Sequence, residues 1–195
     1  MTWEGALAVI ALVLSAASFY HEFFARGRVV LANPVGLALR EGRDNTGHWR
    51  QLWRFRLVFC NTGARPRVIH NMRLLVVHQQ RTAKIPVGQW KETVKPKEDE
   101  SRLADTGGDF AGGVALPPRS TFERIGVFID SGDEPWLQFP GVYECTVEAL
   151  LDGLRRESLA WQALASFRIS LREKQCALLG SGDWIYRPTL DNLQD

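Results

Sequence analysis

Hydrophobic and polar positions divide the chain into an uncharged opening run and a longer region of short extended runs separated by turns. Residues 5–20 carry no charged side chain, and residues 6–14 (ALAVIALVL) are apolar on every side of a helix. Such a surface suits lipid better than a single protein core. Aromatic residues flank the run, as they do at both faces of a bilayer. From Trp3 to Phe24 the segment is long enough to cross a hydrocarbon core of about 30 Å.

We therefore predict that residues 1–25 form a transmembrane signal anchor. The residues assigned to the span are Trp3, Leu7, Ile10, Leu14, Phe19, Tyr20 and Phe23. A buried helix of a soluble protein would usually show polar positions on every turn. A cleaved signal peptide is the sharper alternative, because Ser15-Ala16-Ala17 offers small residues for cleavage. However, a signal peptide needs a positive leader, and this chain has Glu4 there.

The charges that flank the run predict its orientation. Before it only Glu4 carries a side-chain charge, and after it come Arg26, Arg28, Arg40 and Arg43. An arginine excess on one side predicts that this side stays in the cytoplasm. We expect a single-pass protein of the cell inner membrane, with a short outer N-terminus and a cytosolic C-terminal domain.

The region after the span has the pattern of β strands. Trp53, Phe55, Leu57 and Phe59 alternate with residues of the opposite face, which is typical of a strand with one buried side. A turn at residues 61–63 ends this strand, because Asn and Gly tolerate tight turns. A second β-rich run follows, and together the two predict a β-hairpin or a strand–corner–strand unit.

Further runs extend this pattern along residues 26–175. The other strand candidates are residues 28–32, 35–40, 82–88, 89–94, 121–129, 140–153 and 161–171, the last predicted strand. Residues 95–110 read as a surface loop. Seven to nine short strands without a long amphipathic helix predict a mainly β fold, an antiparallel β-sandwich. In the tail, residues 176–195, Trp184, Ile185 and Tyr186 predict that it docks on the sandwich.

One stretch, PGVYECTV, resembles the Y-x-C corner of immunoglobulin-like domains. The resemblance implies that the Tyr143 hydroxyl pins a corner by bonding to the backbone, and that Cys145 lies in the core. Cys60, at the end of another strand, is the candidate for the second core cysteine. Three cysteines are too few for a disulfide framework, and cytosolic thiols stay reduced.

The layout as a whole resembles that of small bacterial single-pass membrane proteins of unassigned function. The resemblance rests on one N-terminal span, an arginine-rich stop, the run VFCNTGARPRVIHNMRLLV and a later LPPRSTFE. It implies an inner-membrane protein with a cytosolic immunoglobulin-like β-sandwich. It carries over no functional residue.

The chain shows no motif for catalysis or metal binding. Neither G-x-S-x-G, H-E-x-x-H, C-x-x-C nor a phosphate-binding loop occurs. The four histidines, His21, His48, His70 and His78, do not form a spacing typical of a catalytic or zinc site. We therefore expect no enzyme activity, no catalytic residue, no metal and no cofactor. An enzyme with an unrecognised site is the weakest alternative.

A local excess of arginine is the strongest charge feature, although the net charge is only +2. Between Arg26 and Arg73 stand ten arginines and two acidic residues. The candidate basic face consists of Arg54, Arg56, Arg65, Arg67 and Arg73. Arg54 and Arg56 are expected to share an exposed sheet face because they alternate with the core positions.

Three interpretations of this face remain open. It attracts anionic lipid, it docks an acidic protein partner, or it holds an anionic ligand such as a nucleotide in arginine forks. Exposed aromatic residues do not cluster there, so nucleic acid is not indicated.

Two functions follow from these observations. The first is a non-enzymatic, membrane-anchored interaction or sensing module. Its small span residues, from Gly5 to Ala17, allow helices to self-associate in lipid. The second is a membrane effector of a bacterial antiviral defence system, in which the domain binds a nucleotide signal or a partner and the assembled spans disturb the bilayer.

Overall fold

The computed structural model describes residues 3–23, 27–91, 109–110, 112–132, 135, 137–152, 159–182, 184–186 and 189–192. The helices are α1 (Trp3–Phe23) and α2 (Glu173–Gly180). The strands are β1 (Val29–Arg43), β2 (Trp49–Asn61), β3 (Arg67–His78), β4 (Arg81–Lys91), β5 (Asp109–Phe110), β6 (Val114–Leu116), β7 (Ser120–Gly132), β8 (Gly141–Asp152), β9 (Leu159–Leu171), β10 (Trp184–Tyr186) and β11 (Thr189–Asn192). Phe24, Arg26 and most of the loop predicted at 95–110 lie outside the described residues.

Helix α1 carries the apolar opening run on a fully accessible surface. Of the helices within the described ranges, it alone is long and apolar enough to cross a membrane, and none of its 20-residue candidate span is buried in the protein. Its large apolar side chains are exposed, including those of Trp3, Leu7, Ile10, Leu14, Phe19 and Tyr20. The side chain of Phe23 lies outside the described set. Such exposure is expected of a lipid-facing helix and costly for one in water.

The strands form one antiparallel sheet that curls until it is nearly closed. Their order is β10-β1-β2-β7-β4-β3-β8-β9-β11, with β5 beside β4 and β6 beside β3. This architecture confirms the predicted mainly β fold with an N-terminal apolar helix. The sheet is barrel-like rather than clearly immunoglobulin-like, so the finer label describes only the corner at Tyr143.

Strand β4 joins the two halves of the sheet, one that contains β10, β1, β2 and β7 and one that contains β3, β8, β9 and β11. Its first part pairs with β3 as far as Pro86, and its second part pairs with β7 from Val87 onward. At the crossing, a Cβ on Gly88 would lie 2.7 Å from Cδ1 of Ile129, so a larger residue there would require the Ile129 side chain on β7 to move. The two weak strand candidates on either side of this point are therefore one bent strand.

The alternation seen in the sequence defines the core. Trp53, Phe55, Leu57 and Phe59 are all fully buried, as the period of two predicts. On β8 the same holds for the inward-facing set Tyr143, Cys145, Val147 and Ala149. Rings from both halves of the sheet meet around Phe55, whose centroid lies 5.8 Å from that of Phe128 and 5.3 Å from that of Phe167.

Three features of the chain path differ from the sequence-based expectations. Strand β2 pairs with β1 and β7 and not with β3, so the unit is a strand–corner–strand and the hairpin alternative is wrong. The two runs before residue 43 are one strand, β1, with irregular register between Ala32 and Ala38. The predicted last strand, β9, is followed by α2, β10 and β11.

The corner before β8 has the bond that the resemblance implied. The Tyr143 hydroxyl donates to the Phe139 carbonyl at 2.6 Å, and the Tyr143 ring stacks on the buried His78 ring at a centroid distance of 4.0 Å. The proposed second core cysteine is wrong, because Cys60 lies half-buried on the outer side of β2, 3.7 Å from the Thr121 hydroxyl. All three cysteines are free thiols.

Two buried groups near this corner, a phenol and a thiol, predict that the folded state loses stability at alkaline pH. Burial raises the pKa of the Tyr143 phenol and of the Cys145 thiol above their ordinary values of 10.0 and 9.0. The folded chain therefore keeps protons that the unfolded chain releases above about pH 9 for the thiol and above about pH 10 for the phenol. Above these values the free energy of unfolding falls by about 1.4 kcal/mol per pH unit for each group. Urea titrations from pH 7 to 11 measure this slope. A slope in Tyr143→Phe equal to that of the unmodified chain would contradict the assignment to tyrosine.

Gly141 is predicted to tolerate no side chain. Its φ is +143°, and a Cβ there would lie 2.8 Å from Cε1 of His78. We expect Gly141→Ala to lower the free energy of unfolding by about 1–3 kcal/mol. The matched control is Gly42→Ala, since a Cβ on Gly42 meets nothing within 4 Å. Equal urea midpoints for the two variants would show that the corner is not strained by a side chain.

Candidate functional site at the helix-proximal end

The five candidate arginines do not form one basic face. Arg54 is only 7% exposed, so the expectation that it shares an exposed face with Arg56 is wrong, because neighbouring groups cover its side of β2. Arg56 is exposed on β2, whereas Arg73 lies on β3 in the other half of the sheet. Alternation along a strand gives the side on which a residue lies, but not what covers it.

Arg56 and Arg73 are engaged with acidic residues of adjacent strands. The Arg56 Nε donates to Glu123 Oε1 at 2.6 Å, and this bond raises the pKa of the guanidinium. The Arg73 Nε donates to Glu148 Oε2 at 2.5 Å, and its guanidinium lies 4.0 Å from the centroid of the Trp161 ring. These cross-strand pairs belong to the sheet surface and leave the two guanidinium groups less available to an anionic ligand.

Arg65 and Arg67 lie instead where α1 meets the domain. Three segments converge there: residues 27–28 after α1, residues 61–67 between β2 and β3, and residues 116–120 between β6 and β7. The register shows the convergence, since Asn61 pairs with Val29 on β1 and with Ser120 on β7, and Arg67 pairs with Leu116. We call these three segments the helix-proximal end.

The side chain of Asn61 holds the helix-proximal end together. Its Nδ2 donates to the carbonyls of Arg65, Leu116 and Pro117 at 2.8, 3.2 and 2.9 Å. Its Oδ1 accepts from the Gly63 amide at 3.0 Å. Asn61 is 2% exposed, so these bonds replace water for backbone groups of two separate turns.

The segment after α1 is fixed to the same turn by backbone contacts. The Arg28 amide donates to the Thr62 hydroxyl at 2.9 Å, and the Thr62 amide donates to the Arg28 carbonyl at 3.1 Å. A Cβ on Gly27 would overlap the backbone of Gly63. The two glycines therefore allow the chain leaving α1 to pack directly against the turn.

Arg119 connects the domain to α1 itself. Its Nη2 donates to the carbonyls of His21 and Glu22 at 3.3 and 3.1 Å, and its Nη1 lies 3.8 Å from the Glu22 carboxylate. The last carbonyls of a helix have no partner within the helix and carry its negative dipole end. A guanidinium from the domain thus caps the C-terminus of α1.

The sequence interpretation did not single out Asn61 or Arg119 as site residues. Asn61 was assigned only to a turn, and Arg119 has a left-handed backbone, with φ +48°, in the LPPRS turn. Their most distant partners lie 56 and 98 residues away in the chain. The run LPPRS was the available signal, because its two prolines restrict the backbone of the turn that carries the arginine.

The rest of the described surface shows little that points to chemistry. A shallow pocket of about 260 Å³ is lined by the two aromatic residues Trp90 and Phe122, by Arg124, and by residues 112–115. The Trp90 Nε1 donates to the Gly112 carbonyl at 3.2 Å. Among the described residues, no group of three His, Cys, Asp or Glu side chains is placed to hold a metal ion.

Comparisons with known proteins give no family for this chain. No protein-family model matches it, and no curated protein matches it. A solved structure described as the X-ray structure of Northeast Structural Genomics Consortium target SoR45 is similar at 11% sequence identity, over 73% of this chain and 84% of that chain, with a TM-score of 0.35. A likeness of this size carries no argument about function.

Proposed function

We propose that the protein is a non-enzymatic, membrane-anchored interaction or sensing module. Helix α1 crosses the cell inner membrane once, and the barrel-like domain lies in the cytosol. The observation that carries this proposal is the accessible apolar helix, which the domain caps at its C-terminus through Arg119.

The charges around the exit of α1 support the proposed orientation. Arg28, Arg65, Arg67 and Arg119 all lie in the helix-proximal end, and its three segments contain no Asp or Glu. Basic residues next to a span favour the cytoplasmic side. The only side-chain charge before the apolar run of α1 is that of Glu4.

Self-association in the membrane is part of this proposal. Small residues of α1 such as Ala8, Ala11 and Ser15 lie on an accessible surface, and small residues let helices approach closely in lipid. The alternative function, a defence effector, needs the same association and in addition a loss of membrane integrity when a signal binds. Dye release from vesicles containing the full chain, with and without cyclic oligonucleotides, separates the two functions.

Cell fractionation tests the membrane anchor. We expect the full chain to sediment with membranes, and a tag at its C-terminus to resist protease added outside spheroplasts. Ile10→Arg with Leu14→Arg is expected to release the chain into the supernatant, because each arginine at the centre of a span costs about 2.5–3.5 kcal/mol. The matched control is Val142→Arg with Leu178→Arg, two exposed apolar residues of the domain, which is expected to stay in the membrane.

Two results would contradict the proposal. Recovery of the unmodified full chain in the supernatant after sedimentation of the membranes would exclude a span. Digestion of the C-terminal tag from outside intact spheroplasts would exclude a cytosolic domain.

A further inference from the structure

We propose that the helix-proximal end is a binding site for the headgroups of anionic phospholipids in the leaflet where α1 ends. The proposal rests on the proposed function, because it requires α1 to span the bilayer. It adds a partner of defined chemistry and the surface that binds it. Three observations carry it: the depth of Arg119, the rigid attachment of the domain, and the charge of this end.

Arg119 fixes the depth of the domain relative to the bilayer. Its guanidinium bonds to the carbonyls of His21 and Glu22, which belong to the last turn of α1. The apolar span ends at Glu22, so this turn lies at the boundary between hydrocarbon and headgroups. The turn that carries Arg119 must therefore lie at headgroup level.

Two further attachments keep the same end of the domain turned toward the bilayer. Gly27 packs directly on Gly63, and the backbone of Arg28 is bonded to Thr62. These contacts begin four residues after the last residue of α1, too close for the domain to hang from a long linker. Asn61 joins this turn to the one that carries Arg119, so the two turns lie next to each other at the same end of the domain.

The charge of this end complements phosphate. Arg28 and Arg65 are exposed, Arg67 is half-buried, and Arg119 lies beside the Glu22 carboxylate. The three segments of this end contain no Asp or Glu. A guanidinium binds phosphate oxygens in a planar, two-bond geometry and is less strongly hydrated than an ammonium group.

Their position favours lipid over a soluble anion or an acidic protein. The arginines are distributed over separate turns around one helix, so they suit several headgroups in a plane better than one small anion. The bilayer itself occupies the space below these turns, which leaves little room for a protein partner.

Spin-label measurements on the full chain in vesicles test the proposed headgroup-binding site. The chain is reconstituted in phosphatidylcholine with traces of spin-labelled phosphatidylcholine or phosphatidylglycerol, and the relative association of the two lipids with the protein is measured. We expect at least about a fivefold preference for phosphatidylglycerol, because one basic group near the surface contributes about 1 kcal/mol. High salt is expected to weaken the preference, since it screens exposed charges.

Two triple variants locate the effect. Arg28→Gln with Arg65→Gln and Arg67→Gln is expected to reduce the preference to less than about twofold. The control, Arg43→Gln with Arg81→Gln and Arg168→Gln, removes the same charge from exposed positions away from α1 and is expected to keep the preference. Circular dichroism confirms that both variants are folded.

The outcomes distinguish failure of the headgroup-binding site from failure of the membrane anchor. If no motionally restricted lipid is seen with either label, α1 does not span and the proposed function fails. Restricted lipid without a preference for phosphatidylglycerol would contradict the headgroup-binding site and leave the membrane anchor supported. The same holds if the helix-proximal triple variant keeps the preference.

Discussion

Replacing Phe55 by alanine is expected to lower the free energy of unfolding by about 3–5 kcal/mol. Phe55 is completely buried, and its ring makes edge-to-face contacts with Phe128 on β7 and Phe167 on β9. These strands belong to opposite halves of the sheet, so the cavity would separate the two halves and could not be filled by one strand moving inward. Urea unfolding of the full chain in detergent, followed by tryptophan fluorescence, measures the loss.

The matched control is the same substitution at an exposed ring. Phe139 is 47% exposed, and only its backbone carbonyl takes part in the corner at Tyr143. Phe139→Ala is expected to change the free energy of unfolding by less than about 1 kcal/mol. Similar losses for the two variants would mean that Phe55 does not connect the halves of the sheet.

The core of this fold could be predicted from the sequence because its signal is local. The alternation on β2 and β8 gives the buried side of each strand without any knowledge of its neighbours. The bond of Tyr143 to Phe139 spans four residues, so both partners lie within one short stretch of the sequence. The signal for the apolar helix is equally local, since one uninterrupted segment determines its length and hydropathy.

The connections between strands could not be predicted in the same way. The change of partner within β4 follows from where β3 and β7 lie, and Gly88 alone does not specify either neighbour. The pairing of Arg56 with Glu123 spans 67 residues. Alternation placed Arg54 and Arg56 on the same side of β2, yet one is buried and the other exposed, because the cover over each comes from other parts of the fold.

The helix-proximal end shows the same limit at a candidate site. Arg65 and Arg67 were candidates because of their charge, and the structure separates them from Arg56 and Arg73. The excess of arginine after the apolar helix predicts that this side is cytoplasmic. What the sequence did not reveal is that a distant residue, Arg119, bonds to the last turn of α1.

Replacing Asn61 by alanine is expected to lower the free energy of unfolding by about 3–4 kcal/mol. The change removes donors from three carbonyls and the acceptor of the Gly63 amide, and a buried polar group left without a partner costs about 1–3 kcal/mol. Asn61→Asp is expected to cost more than alanine, because a carboxylate of the same shape would face three carbonyl oxygens. Urea unfolding of the full chain in detergent measures both variants.

The control for this prediction is Asn71→Ala on β3, where the asparagine is exposed and accepts one bond, from the Met72 amide at 2.7 Å. It is expected to cost less than about 1 kcal/mol. A loss as small for Asn61→Ala would show that the two turns hold their positions without the asparagine.

If Asn61 does join them, hydrogen exchange at the Arg119 amide, which donates to the Gly63 carbonyl, must accelerate in Asn61→Ala before the core unfolds. The cap on α1 would then loosen while the sheet remains intact, because Arg119 reaches α1 only from a turn that Asn61 holds in place.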